Sequence, residues 1–378
     1  MTTRRSVLAC LIAMPVVSAG CGSGSTIDPA AAWRTPGAGE TDPRRYALAH
    51  AILAPNPHNR QPWLIDLAGN DEVLFYPDTA RLLPATDPPN RQITLGCGAF
   101  LELFDLAVRQ VGRRADITLW PEGEPHPRLD NRPIARIRLV SDRNIPRDAL
   151  FEQITNRHTN RAPYDLKAPP TAAELAAILA AADGGGITAG TISDEATRVQ
   201  IMQLAWQGWT IESHTPATHM ESVRLIRIGA AEIAAHRDGI SLSGPMLEIL
   251  KAGGVLTPAT LADPDSFAAK SSNDMARKAL DATPAFFWLK GANNSRATQI
   301  AAGRAYARAH LTATRLGLNF QPWSMTLQEY QEMAGPYAAT QVLLGAGPEA
   351  PLQMLVRVGR AKATPPAPRR GLAAHIRT

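Results

Sequence analysis

Cysteine is nearly absent, with three residues in a chain of 378. No disulfide framework can be built from so few, so the fold must rest on an ordinary hydrophobic core. Lysine is scarce too: six residues stand against 33 arginines, and the basic excess is spread thinly along the chain. The body holds no dense Lys/Arg block and no aromatic stripe interleaved with one, which argues against nucleic-acid binding. Beyond the N-terminus no apolar run approaches the ~18 residues that a membrane helix needs, which excludes a polytopic membrane protein. Also missing are a Gly-x-Gly-x-x-Gly turn after a strand, a Gly-x-Ser-x-Gly elbow and a Walker loop. His214 and His219 stand five apart, the wrong spacing for one helix face, and no cysteine or acidic pair completes a metal site. What is there is a chain with 45% hydrophobic residues, 19% charged residues and a net charge of +5. That balance excludes wholesale disorder and suits one large or two ordinary domains.

The first 21 residues read as an address. Arg4 and Arg5 precede an apolar stretch from Val7 to about Gly20 that ends in the small residues Ser18-Ala19-Gly20. The Thr-Arg-Arg-x-x-Leu layout resembles a twin-arginine signal, a route that carries proteins already folded. Export to the periplasm or cell envelope is the expectation. Cys21 follows Ala19-Gly20, and two outcomes fit it: acyl linkage at Cys21, the one membrane contact expected, or plain cleavage at an Ala-type site. Residues 22–41, rich in Gly, Ser, Ala and Pro, read as a flexible linker.

The body mixes helices and strands without strict alternation, which points to an α+β fold. A helix is expected over Asp42–Ala54, with Pro43 in its first turn. Strands are expected at Trp63–Leu67 and Val73–Tyr76 around the Gly69-Asn70 turn, and a long helix over Asn90–Val111. Cys97 falls early in that helix and reads as core. Thr171 and Glu174 form a capping box before an Ala-rich helix. Val199–Glu232 reads as helix interrupted near Pro216, Phe286–Leu289 as a buried strand and Ser295–Leu316 as a second long helix. His236–Phe267, punctuated by Gly239, Gly244, Gly253 and Gly254, reads as an irregular, lid-like excursion.

Three segments carry candidate chemistry. Ala54–Trp63 (APNPHNRQPW) has three prolines, so its Asn and Gln groups are held stiffly and offer both donors and acceptors to the edge of a flat heterocycle. Asn156–Arg161 (NRHTNR) places Arg157 and Arg161 about Thr159, a set suited to phosphate. Leu316–Ser324 (LGLNFQPWS) leaves a helix through Gly317, exposing backbone N–H groups of the following loop.

In combination these segments resemble the nitroreductase superfamily of FMN proteins, most closely its Acg-like branch. The resemblance runs from about Tyr46 to Arg370. It also includes Gly96-Cys97-Gly98-Ala99, the helix around Gly303-Arg304, and Gln353–Gly359 ahead of Arg369-Arg370. It implies a nitroreductase-like fold with two fused halves, 42–145 and 146–378, forming an intramolecular pseudo-dimer, with the lid-like insertion near 236–285. One composite FMN site across the halves is then expected.

Carried over residue by residue, Arg157, Thr159 and Arg161 would hold the FMN phosphate and ribityl chain. Pro55, Asn56, Pro57 and Asn59 would line the ring from the other half. Backbone near Gln321 and Trp323 would approach its N5 face, and Arg369 or Arg370 would close on the phosphate. Ordinary members carry small hydroxyl residues where this chain has Asn56 and Pro57. The flavin carries the chemistry, so no catalytic side chain is required, although His58 is a candidate proton donor. The resemblance implies an oxidoreductase passing hydride or electrons to a small molecule, with NAD(P)H as a potential partner. Two other readings stand beside it: a protein that binds or sequesters flavin without NAD(P)H turnover, and a cofactor-free relic of the fold.

Overall fold

The computed structural model describes residues 27–377. The signal segment, with Arg4, Arg5, Cys10 and Cys21, lies outside the described residues.

The first half begins with a short helix, α1 (Ala31–Arg34), followed by α2 (Pro43–Ala51). The Asp42 side chain caps α2 by accepting from the Arg44 N–H, and Pro43 loses nothing in the first turn, where its N–H would be unpaired. Strands β1 (Trp63–Ala68) and β2 (Glu72–Pro77) form an antiparallel hairpin whose turn holds Gly69 at φ +49°. Helix α3 (Arg91–Gln110) follows, then β3 (Arg113–Leu119) and β4 (Ala135–Ser141). The Asp87 carboxylate accepts from the Gln92 and Ile93 N–H groups at the start of α3.

The second half opens with α4 (Ala172–Ala182), capped by Thr171 and Glu174 in the expected box. Strand β5 (Ile187–Ile192) and helix α5 (Glu195–His214) come next. The insertion then runs through α6 (Pro216–Leu225), β6 (Ile226–Ile228), α7 (Ala230–His236), β7 (Ile240–Leu242), α8 (Pro245–Ala252), α9 (Pro258–Ala262) and α10 (Phe267–Asp281). The half closes with β8 (Ala285–Gly291), α11 (Arg296–Arg315), β9 (Asn319–Pro322), α12 (Ala334–Leu343) and β10 (Leu352–Gly359).

The two four-stranded antiparallel sheets share one plan. Their orders are β1-β2-β4-β3 and β5-β8-β10-β9, which is first, second, fourth, third in both. In each half the long helix lies between the second and third of these strands. This is an α+β fold in which one unit occurs twice in a single chain. The halves pack through α3 against α11, at Gly98 and Gly303. Buried Glu102 on α3 pairs with Arg304 and Arg308 on α11, each at 2.8 Å. Cys97 is fully buried in α3.

Several expectations change. The linker over 22–41 is not a free tether where it is described: Trp33 is 5% exposed and its indole N–H donates to the Ala367 carbonyl at 2.8 Å. One large aromatic among small residues is enough to dock a segment that composition reads as loose. The excursion over 236–267 is regular, and Leu256 and Leu261 pack in a small core with Val223, Ile228 and Ala268 from either side of it. Gly244 starts and Gly253 ends a short helix there instead of breaking the chain into loops. Strand β5 (ITAGTI) was not expected, because its Gly190 and Ala189 dilute the β-branched signal. Gly190 is needed there: a side chain would run into the Trp288 ring on β8.

Candidate functional site

The stiff loop after α2 folds back on itself. Asn56 Oδ1 accepts from the Gln61 N–H at 2.7 Å, and Asn56 Nδ2 donates to the Ala54 carbonyl at 3.1 Å. Pro55 is buried, and Pro57 opens a 3-10 turn through Asn59. His58, Asn59 and Gln61 all take positive φ, at 47°, 50° and 50°. Each such non-glycine residue costs on the order of 1 kcal/mol or more, so the surroundings must impose this shape.

Those surroundings come from the second half and from the C-terminal tail. Arg157, 2% exposed, donates from Nη2 to the Leu53 carbonyl at 2.8 Å. Its Nε is buried with no partner. Burial brings the guanidinium down to about 10. Thr159 bridges Phe320 at the start of β9, and the Asn160 N–H donates to the Phe320 carbonyl at 3.2 Å. The Arg161 side chain is reached by water and forms no hydrogen bond or ion pair among the described residues. Its charge reaches His58 in the loop after α2. Burial first, then the charges of Arg161 and Arg60, hold its imidazole down at about 4. The ring is therefore neutral at ordinary pH, and its Nδ1 is buried with no partner. No imidazolium is available there as a ready proton donor.

The two tail arginines differ. Arg369 spends every N–H: Nε on Ile52, Nη2 on Leu53 and Ala54, and Nη1 on Asn59 Oδ1 and its neighbour Pro368. It caps the carbonyl end of α2, where a cation is favoured. With no donor left, it is not a phosphate contact. Arg370 donates from Nη2 to the Gln61 carbonyl at 2.9 Å and keeps its buried Nε unpartnered. Burial lowers it to about 10.

The structure thus brings Pro55–Asn59, Arg157–Arg161 and Arg369–Arg370 together. Asn56 and Asn59 are turned to the loop and the tail, Asn59 also giving Nδ2 to the Pro368 carbonyl at 3.0 Å. Gln321 lies beside this cluster on β9, but its side chain accepts from Arg357. Trp323 does not belong to the cluster. It is 1% exposed in a separate core, its indole donates to the Ala205 carbonyl at 3.2 Å, and its N–H is taken by Leu355 at 2.8 Å. That N–H is not free to meet a ligand.

The insertion is stapled to the same loop. Gln61 Nε2 donates to the Arg237 carbonyl at 2.8 Å, and the Gly239 N–H donates to the Asn59 carbonyl at 3.2 Å. Between them Asp238, 5% exposed, pairs with Arg81 at 2.8 Å, Arg227 at 3.0 Å and Arg60 at 3.9 Å.

No family model matches the chain. Among curated proteins, "Putative NAD(P)H nitroreductase Rv3131" of Mycobacterium tuberculosis (strain H37Rv) is 28% identical over 336 residues, 87% of this chain and 89% of that protein. "Putative NAD(P)H nitroreductase acg" of the same organism is 38% identical over 81 residues, 21% of this chain and 24% of that protein. Both of these similarities are to proteins named as nitroreductases. Among solved structures, the FMN-dependent nitroreductase NfnB from Mycobacterium smegmatis in complex with NADPH aligns at 17% identity, covering 60% of this chain and 96% of that one, with a TM-score of 0.37. Sequence reasoning missed three residues of the cluster: Gln61, Asn160 and Trp33. Gln61 and Asn160 stood inside the quoted motifs and are among the most buried polar residues. For Trp33, a tryptophan in a stretch whose other large apolar residue is Ile27 was the available signal.

Proposed function

We propose that this chain is an FMN-binding, nitroreductase-type oxidoreductase acting on a small molecule. One observation carries the reading. Arg157 keeps a buried Nε without a partner, Arg161 keeps all its donors, and neither pairs with a carboxylate among the described residues. A buried cation without a counter-charge, as Arg157 is, is costly unless an anion arrives, and a phosphate group suits two guanidiniums and a threonine hydroxyl. The printed names of the curated relatives support the reductase assignment.

In this reading Arg157, Thr159 and Arg161 hold the phosphate and ribityl end. Pro55 and Pro57, with the backbone that Asn56 and Asn59 lock, present a rigid wall to the ring. When bound, the flavin supplies hydride or electron transfer. The protein orients it, excludes water with the stapled insertion, and keeps His58 neutral beside it.

A second reading, flavin binding without NAD(P)H turnover, is favoured by one feature: the insertion is tied to the ring-facing loop on both sides of Asp238. A closed insertion would bar a nicotinamide. The proposed export route bears on this as well, since NAD(P)H is a cytoplasmic donor.

The test is an absorption spectrum of the purified mature protein followed by anaerobic NADPH addition. Flavin bands that bleach support the reductase. Bands that persist with NADPH and NADH but bleach with dithionite favour binding without turnover. A colourless protein that takes up no added FMN overturns both.

A further inference from the structure

The segment from Ile27 to Glu40 is docked on the two arginines that flank the loop after α2. The Trp33 ring lies 5.5 Å from the Arg157 guanidinium and 5.0 Å from that of Arg369. It meets the His158 ring edge-on at 5.3 Å. Its indole N–H is fixed on the Ala367 carbonyl at 2.8 Å, and the Arg369 N–H donates to the Pro29 carbonyl at 3.0 Å. Two backbone segments more than 300 residues apart in sequence are thereby laced together over one cationic pair.

Among the described residues no carboxylate reaches either guanidinium, and apart from carbonyls the indole face is the electron-rich surface both of them meet. Arg369 has no donor to spare, and its part is to fix the carbonyl end of α2. Arg157 retains its unpartnered Nε, and His158 an unpartnered Nε2, both buried next to the same ring. The indole therefore packs over the Arg157 guanidinium, of which only Nη2 is fixed by a hydrogen bond among the described residues.

We propose that Trp33 is a positioning residue of the flavin phosphate site and that Ile27–Glu40 is a retention latch. Trp33 orients Arg157 toward the phosphate and seals that end of the site from water, so bound FMN leaves slowly. The proposal rests on the flavin reading above. It fits a chain that has to keep its cofactor after export, where none is at hand to replace it.

The test uses FMN-loaded mature protein and reads flavin release by recovery of fluorescence on dilution, with FMN and riboflavin affinities measured in parallel. Native protein that binds no FMN sinks the flavin reading itself, independently of the latch. Given native binding, Trp33→Ala is expected to release FMN at least about tenfold faster. It should also lower the preference for FMN over riboflavin, since only the phosphate senses Arg157. Trp33→Phe keeps the ring over the arginines and loses only the bond to Ala367, so it should retain the native preference. If Trp33→Ala does not fold, Trp33→Leu replaces it, keeping apolar bulk without the π face. Native release and native FMN-over-riboflavin preference in the Ala or Leu variant would overturn the latch. So would loss of FMN and riboflavin binding in equal measure, the mark of a merely structural residue.

Discussion

Gly98 on α3 and Gly303 on α11 meet where the two long helices cross. A side chain at Gly98 would collide with the Ile300 carbonyl and stand 3.0 Å from the Gly303 α-carbon. One at Gly303 would collide with the Leu95 carbonyl and stand 2.9 Å from the Gly98 α-carbon. The neighbours are helix backbone, which cannot step aside as a flexible side chain can.

Gly303→Ala should therefore destabilise the protein by about 1–3 kcal/mol, although alanine is the better helix former. Urea unfolding would show a lower midpoint at unchanged slope. The sign is the point of the measurement, since at an exposed helical position the same change stabilises.

Arg161 and Arg369 should separate ligand binding from stability. Arg161→Ala removes a side chain that has no hydrogen-bond or ion-pair partner among the described residues, so its unfolding free energy should stay within about 0.5 kcal/mol of native. FMN affinity should fall about tenfold or more. Arg369→Ala leaves the buried Ile52 carbonyl without its arginine partner and takes one of two donors from the carbonyls of Leu53 and Ala54. It should cost about 2–4 kcal/mol by the same unfolding assay.

Asp238 holds the insertion down. Burial works to raise its pKa, but the Arg81 hydrogen bond and the Arg227 charge outweigh it, and the carboxyl lies below its usual range. Its contribution is thus complete above the usual carboxylate pKa and is lost as pH falls through the depressed value. Asp238→Asn leaves three arginines around an uncharged group and should cost about 3 kcal/mol. Amide exchange in residues 226–242 should accelerate in the variant at neutral pH, and in the native protein only in acid.

Glu212 on α5 should give the opposite pH dependence. Burial raises its carboxyl to about 7, against the lowering effect of hydrogen bonds from Gln328 and Ser222. A raised carboxyl pKa means stability that is complete below the unfolded value and declines as pH rises through about 7. The loss should be on the order of 1–3 kcal/mol between mildly acidic and alkaline buffers. Glu212→Gln should flatten that slope, as thermal unfolding across the same buffers would show.

Much of the site was legible because its parts are local. The Pro-punctuated loop, the Arg-x-Thr-x-Arg run and the helix exit through Gly317 each carry their signal within about ten residues, and so do the Thr171–Glu174 cap and the Gly69 turn. The roles within those segments were less legible. Asn56 reads as a ligand-facing amide until its carbonyl oxygen is found on the Gln61 N–H. Trp323 reads as a loop residue until its N–H is found on Leu355 in the neighbouring strand.

By itself the sequence determined that this chain folds on a core without disulfides, mixes helix and sheet, and gathers arginine, proline and amide groups in short motifs. Those properties follow from residue chemistry and short spacings. Tertiary structure alone decided that Arg161 is free while Arg369 is consumed, that the insertion is tied down through Asp238, and that a supposed linker places Trp33 on Arg157. Each depends on what a side chain meets from far along the chain. A guanidinium has the same five donors wherever it stands, and only the fold determines which of them are already used.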